Sequence, residues 1–176
     1  DLGISHAELH TYHAFGAKYY KAPCVTDSHL HTIVRKNMAI KNAPAWRCII
    51  LDEQQDMTFD YYEFCHKIVR DIQPRAQKDI LFVIVGDVYQ NIYAYKGGDA
   101  RFLTSGPRLF HANTCYDWKT LRIDTSYRVT HHMAHFLNRY FLHYDRIKAQ
   151  KSGHPIRYLQ CDAFSKTPFQ EIRAYL

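Results

Sequence analysis

Cys48-Ile49-Ile50-Leu51-Asp52-Glu53-Gln54-Gln55-Asp56 decides the reading of the chain. Four apolar residues run into two adjacent carboxylates, and a third carboxylate follows four positions after the first. An unbroken short apolar run is the pattern of a strand buried on both faces, as in a parallel sheet covered by helices. Ligands of such sheets gather beyond the carboxyl ends of the strands, where Asp52 and Glu53 fall. Neighbouring carboxylates repel, and a bound cation is one way to hold them together. The alternative is a strand followed by a solvated acidic turn.

A second segment has the same form. Ile80-Leu81-Phe82-Val83-Ile84-Val85 is another apolar run, closed by Gly86-Asp87 and followed by Val88-Tyr89-Gln90-Asn91-Ile92-Tyr93-Ala94-Tyr95-Lys96-Gly97-Gly98-Asp99. Together the two stretches supply an acid pair, a neutral amide and an aromatic-basic platform.

In these residues the chain resembles a superfamily 1 helicase of the UvrD/Rep type. Asp52-Glu53-Gln54-Gln55-Asp56 resembles the Walker B motif, and Val85-Gly86-Asp87 through Gly97 resembles the third motif, V-G-D-x-x-Q-S-I-Y-x-[FW]-R-G-A. Ser126-Tyr127-Arg128 resembles the fourth motif, N-Y-R, and Thr11-Tyr12-His13 resembles the early T-F-H element. The four stand in family order. The fold implied is α/β, a parallel sheet with helices on both faces, belonging to an incomplete RecA-like P-loop NTPase core. Residues 1–150 are expected to form the C-terminal part of the first RecA-like domain, without its phosphate loop. Residues 151–176 are expected to begin a strand-helix unit of the second.

The resemblance also implies roles. Asp52 would hold magnesium through its water shell, and Glu53 would orient or deprotonate the attacking water beside that ion. Gln90 would contact the γ-phosphate of ATP and report it to the DNA side, and Arg128 would reach the same phosphate as an arginine finger. Gln55, Asp56 and Asp87 would brace the site, with helix capping as the structural alternative for Asp56. Thr11 and His13 would lie near the single-strand track, although a threonine N-cap followed by core aromatics explains the same residues. Tyr93 and Tyr95 would share a face if the segment is extended. Tyr95 stands in place of the usual Trp or Phe and Lys96 in place of the usual Arg, which keeps stacking but loses the planar guanidinium contact.

Composition bounds the partners. The 176 residues suffice for a core, and a formal net charge of +6 with a pI near 9.0 suits a polyanion, here single-stranded DNA, with RNA as the alternative. The five cysteines include no C-x-x-C pair, and Cys48 and Cys65 fall in core-like patterns, which argues for reduced thiols in the nucleus or cytoplasm. His29, His31, His131, His132 and His135 sit in helical patterns and read as helix surface without companion ligands. No apolar run approaches the ~20 residues of a membrane span.

Helices are expected through Phe15, Tyr19 and Tyr20, from an Asp27 cap through Leu30, Ile33 and Val34, and over the stripe Tyr61, Phe64, Cys65, Ile68, Val69, Ile72 up to Pro74. A further strand is expected at Leu121-Arg122-Ile123. Thr130 would then cap a helix with the stripe Met133, Phe136, Leu137, Tyr140, Phe141, Tyr144. Last come an alternating strand from Ile156 to Cys161 and a helix opened by Thr167, Pro168 and Gln170. Relatives insert a helical subdomain where only about forty residues separate His13 from Asp52, too few for an independent domain.

No G-x-x-x-x-G-K-[ST] occurs, and neither do the family's late motifs with their second arginine. The chain is therefore expected to be a fragment. Alone it would bind ATP poorly, while a longer parent, including the rest of the helicase chain, acts as the ATP-dependent DNA helicase. Two rival readings are a catalytically inactive helicase remnant serving as a nucleic-acid-binding module, and a metal-dependent nuclease using Asp52, Glu53 and Asp87.

Overall fold

The computed structural model describes residues 7–20, 23–76, 79–110, 117–158, 160, 164 and 167–173. They divide into two compact units, 1–118 and 119–176. The division falls at 118/119, whereas the sequence pattern suggests 150/151.

The first unit is built on a pair of parallel strands, β1 (Cys48–Leu51) and β2 (Leu81–Ile84), in register from Cys48 opposite Leu81 to Leu51 opposite Ile84. The helix α3 (Phe59–Ile72) provides the crossover that parallel strands need. Thr58 caps it, its Oγ1 accepting from the Tyr61 amide at 3.4 Å, and the helix stops before Pro74, whose ring has no N–H to offer. The cap is Thr58, so the capping alternative for Asp56 is set aside. Helices α1 (Tyr12–Tyr20) and α2 (Asp27–Arg35) precede the strands, and the short α4 (Arg101–Thr104) and α5 (Gly106–Leu109) follow them. Thr26 is the N-cap of α2, one residue before the expected Asp27.

These elements enclose a core of Tyr19, Tyr20, Leu30, Ile33, Met57, Phe64, Cys65, Val69, Ile72, Ile80, Phe82 and Phe110. At about 25 cal/mol per Å² of apolar surface, each such side chain contributes roughly 1.5–3 kcal/mol by leaving water. A lysine shares this interior. Lys67 is 2% exposed, and its Nζ donates to Asp71 Oδ2 at 2.8 Å and Asn37 Oδ1 at 3.1 Å. Tyr20 Oη donates to the same Asp71 oxygen at 2.9 Å.

The strands are not buried on both faces as their apolar runs suggest. Ile50 is 65% and Leu81 48% exposed, because among the described residues each strand has only one neighbour and the sheet is covered incompletely. Cys48 is likewise exposed, contrary to its core-like pattern, while Cys65 is buried. Burial pushes the Cys65 thiol up to about 12. Cys24, Cys48 and Cys65 are free thiols.

The second unit holds β3 (Thr125–Thr130) and β4 (Lys148–Lys151), also parallel, with α6 (His131–Leu137) between them and α7 (Thr167–Arg173) after. Both strands are displaced from expectation. Leu121-Arg122-Ile123 has no regular structure, with Leu121 and Ile123 almost fully exposed, and the strand begins at Thr125. Residues 152–158 are irregular too; β4 lies earlier, and Cys161 lies outside the described residues. Thr130 does cap α6, accepting from the Met133 amide at 3.3 Å. The helix continues as a π turn over Asn138–Leu142. Its apolar stripe is not core: Met133, Tyr140, Phe141 and Tyr144 are exposed, and Ala134 and Asn138 are the buried residues. Asn138 is held by three hydrogen bonds to the backbone of Arg146 and Ile147.

Among the described residues no helix is long and apolar enough to cross a membrane.

Candidate active site

Parallel register brings the carboxyl ends of β1 and β2 side by side. The ladder runs past the strands, since the Val85 amide donates to Leu51 O at 2.8 Å and the Gln54 amide to Val85 O at 3.0 Å. Asp52-Glu53 and Gly86-Asp87 thus leave the sheet together. Glu53 adopts a left-handed backbone (φ 53, ψ 41), a conformation few non-glycine residues take and one that costs on the order of 1–3 kcal/mol. The Asp52 carboxylate accepts from the Glu53 amide at 2.9 Å and closes this tight corner.

Gln55 joins the two strand ends. It is 1% exposed. Its Nε2 donates to Glu53 Oε2 at 2.7 Å, and its Oε1 accepts from the Asp87 amide at 3.0 Å. The Asp87 carboxylate accepts from the Tyr89 amide at 3.1 Å and, through its other oxygen, from Gln90 Nε2 at 2.9 Å. An unbroken hydrogen-bonded path therefore runs Glu53–Gln55–Asp87–Gln90. It is possible only because residue 86 lacks a side chain: a Cβ there would lie 2.6 Å from Gln55 Oε1 and 3.1 Å from the Gln54 amide nitrogen.

The loop after Gln90 is tied to the same acidic segment. Asn91 Nδ2 donates to Gln55 O at 2.6 Å, the Tyr93 amide to Asp56 Oδ1 at 3.4 Å, and the Asp99 amide to Met57 O at 2.9 Å. Tyr93 and Tyr95 do not share a face by extension. Ala94–Lys96 is a 3-10 turn that sets the two rings 6.2 Å apart at 32°, with Lys96 Nζ 5.5 and 5.6 Å from their centroids. Tyr95 is 77% and Tyr93 43% exposed, so neither ring is core. Gly97 closes the turn at φ 89, a region glycine enters without steric cost.

Thr11 and His13 are engaged elsewhere. Thr11 Oγ1 accepts from the Ala14 amide at 3.2 Å and opens α1. His13 Nε2 lies 3.1 Å from Asp27 Oδ1, and its ring packs edge-on against Tyr61. Tyr12, between them, makes the connection to the acidic segment that the sequence did not reveal. Its hydroxyl receives Gln54 Nε2 at 3.2 Å, its ring stacks on Tyr61 at 4.5 Å, and burial drives its pKa well above the ordinary tyrosine range. Buried Gln54 was missed for the same reason as Lys67: a polar side chain in a motif or on a helix does not declare its burial. Arg128 belongs to the second unit, exposed on β3, with its amide donating to Ser126 Oγ at 3.3 Å.

Residues 28–111 match the UvrD/REP helicase N-terminal domain. Over these residues the chain is similar to that family. The match spans a little under half of the 176 residues, takes in Asp52 through Lys96, and stops short of Thr11, His13 and Arg128. No curated protein matches the chain.

Asp52 and Glu53 suit a magnesium ion. They are two exposed carboxylates, hard oxygen donors in the number Mg²⁺ takes from protein when phosphate oxygens and waters complete its shell. Among the described residues, the only three-ligand group is elsewhere: His31, Asp60 and Glu63 bring their ligand atoms within 4.8 Å of one another. His31 thus has companions that its helical pattern did not disclose, at a solvent-facing position.

Proposed function

We propose that the chain is part of an ATP-dependent DNA helicase of the UvrD/Rep type, which couples ATP hydrolysis to movement on single-stranded DNA. In this reading residues 1–118 are the C-terminal part of a RecA-like ATP-binding domain. Residues 119–176 are proposed to begin the second. The hydrogen-bonded path from Glu53 to Gln90 is the observation that carries the reading.

Bound with ATP, magnesium would draw charge from the transferring phosphoryl group; Asp52 would hold it and Glu53 would stand beside it. Glu53 orients the attacking water and accepts its proton. Its strained corner and the bond from Gln55 fix the carboxylate, so little reorganisation is left for the reaction itself. Gln90 reads the terminal phosphate. Because Asp87 holds its amide, a shift of Gln90 on loss of that phosphate passes both to Gln55 and along the loop to Tyr93 and Tyr95. Those rings, with Lys96 over both, form a shelf for stacked bases, each worth about 1–3 kcal/mol. Arg128 acts as the arginine finger, and Thr11 and His13 border the strand track by positioning α1. The phosphate loop that supplies most nucleotide affinity is not among these 176 residues, and the chain by itself turns ATP over negligibly.

The test is Gln90→Ala in the complete protein. Single-strand binding should persist and DNA-stimulated hydrolysis should fall by at least tenfold. Equal stimulation in the variant refutes the coupling.

A further inference from the structure

The outer side of the α2–α3 helix pair carries three metal-ligating side chains that the strand-end site does not use. His31 stands on α2 and Asp60 and Glu63 stand on α3, with one ligand atom of each within 4.8 Å of the others. Asp60 and Glu63 are three residues apart, the spacing that puts two side chains on one face of a helix. His31 follows Asp27 by four residues, and Asp27 faces α3 through its bond from Tyr61, so the same face of α2 delivers the imidazole.

The helix pair is pinned on both sides of this trio. Toward one end Tyr61 Oη donates to Asp27 Oδ1 at 2.9 Å. Toward the other, Lys67 Nζ and Arg70 Nη2 each donate to Asn37 Oδ1 at 3.1 Å. Leu30 and Ile33 of α2 and Phe64 of α3 are fully buried in the core the helices share. The backbone positions of the three donors are therefore fixed before any ligand arrives.

The trio is otherwise unengaged. Other carboxylates of the first unit have partners: Glu8 has His10 and Lys18, Asp27 has His13, Asp71 has Lys67, and Asp99 has Arg101. Among the described residues, the side chains of His31, Asp60 and Glu63 make no hydrogen bond or ion pair, and the ring is not paired with either carboxylate. Two half-buried like charges side by side repel, and a cation between them removes that repulsion. The imidazole decides which cation. Magnesium and calcium take oxygen ligands, whereas one ring nitrogen with two carboxylate oxygens suits Zn²⁺ and its first-row neighbours. With bonds of about 2.0–2.2 Å, donors around tetrahedral zinc stand roughly 3.3 Å apart, which a small rotamer adjustment of surface side chains reaches.

We propose that His31, Asp60 and Glu63 form a zinc-class site that clips α2 to α3, with water in the fourth position. The site is separate from the acid pair Asp52 and Glu53 and does not rest on the helicase reading. Because α3 is the crossover between β1 and β2, the ion would stabilise the whole first unit.

The test titrates Zn²⁺ into the 176-residue chain against a chromophoric zinc indicator, with magnesium in large excess. One zinc should bind per chain, and at a hundred times Kd it should raise the Tm by about 5–10 °C. His31→Ala, Asp60→Asn and Glu63→Gln should each weaken binding by at least about tenfold. Circular dichroism checks their folding, and His31→Asn replaces His31→Ala if the alanine variant unfolds. Two control pairs, His131→Ala with His135→Ala and Asp52→Asn with Glu53→Gln, should bind zinc as the parent does. No saturable binding below about 100 µM zinc overturns the proposal. So does parental affinity in the three variants, or displacement of the zinc by magnesium. Loss in the first control pair would place the ion on α6, and loss in the second would place it on the acid pair; either outcome refutes the clip.

Discussion

Gly86→Ala is the substitution on which the site's architecture bears most directly. The new Cβ would sit 2.6 Å from Gln55 Oε1 and 3.0 Å from Leu103 Cδ2. Real Cβ atoms do not approach oxygen so closely, so the buried Gln55 amide has to move. Moving it strains or breaks the bond to the Asp87 amide and the charge-assisted bond to Glu53, at 3.0 and 2.7 Å. A neutral hydrogen bond contributes about 0.5–1.5 kcal/mol and one to a charged group about 1.5–3 kcal/mol, while overpacking alone costs about 1–3 kcal/mol. A net loss of about 2–4 kcal/mol follows, or a fall in Tm of roughly 5–15 °C for a chain of this length. Thermal and urea unfolding followed by tryptophan fluorescence would read it. The partner variant Gln55→Ala removes the obstructing amide, so the double variant should be more stable than the sum of the two losses by at least about 1 kcal/mol. Strict additivity, or a Gly86→Ala loss below about 0.5 kcal/mol, would refute the argument.

Other outcomes follow from the same structure. Lys67→Ala should destabilise the chain by about 3–5 kcal/mol, because it leaves the mostly buried Asp71 carboxylate without its ammonium partner; denaturant titration measures it. Glu8 has its carboxyl held down to about 2 by bonds from His10, then Lys18 and Tyr19. A carboxylate depressed on folding contributes stability above its unfolded pKa and loses it on acidification. The contribution should therefore fade between pH 4.5 and about 2, and Glu8→Gln should flatten that part of the stability-pH curve. Buried Cys65 should resist maleimide at neutral pH while exposed Cys48 reacts, as mass spectrometry of the labelled peptides would report. Tyr95→Ala should weaken oligonucleotide binding by roughly tenfold and Tyr95→Trp should restore it.

How much of this was legible in the sequence depends on the kind of signal. The apolar runs Cys48–Leu51 and Leu81–Ile84 announced both strands of the first unit, and the 3.6 period of Phe64, Cys65 and Ile72 announced α3, because burial imposes those periods directly. The motif spacing also put Asp52, Glu53, Asp87 and Gln90 in one neighbourhood. What escaped was set by packing. The openness of β1 and β2 depends on how many strands flank them, which a four-residue run does not encode. The shift of β3 from Leu121 to Thr125 shows tertiary context overriding a local apolar triplet. The resemblance leads to the expectation that Gln55 braces the site, whereas the Tyr12–Gln54 contact and the buried Lys67 rest on single polar side chains that it does not cover. No period marks such residues, although the Gly86 that makes room for Gln55 was visible all along.

The most direct measurement is ATP turnover by Glu53→Gln in the complete protein, with and without single-stranded DNA. The account predicts a loss of at least about a hundredfold in the stimulated rate, with ATP and oligonucleotide affinities within about threefold of the parent, since the amide keeps the shape but cannot accept the water's proton. Turnover at the parental rate would mean that the strand ends carry no hydrolytic carboxylate, and the motor reading would be wrong.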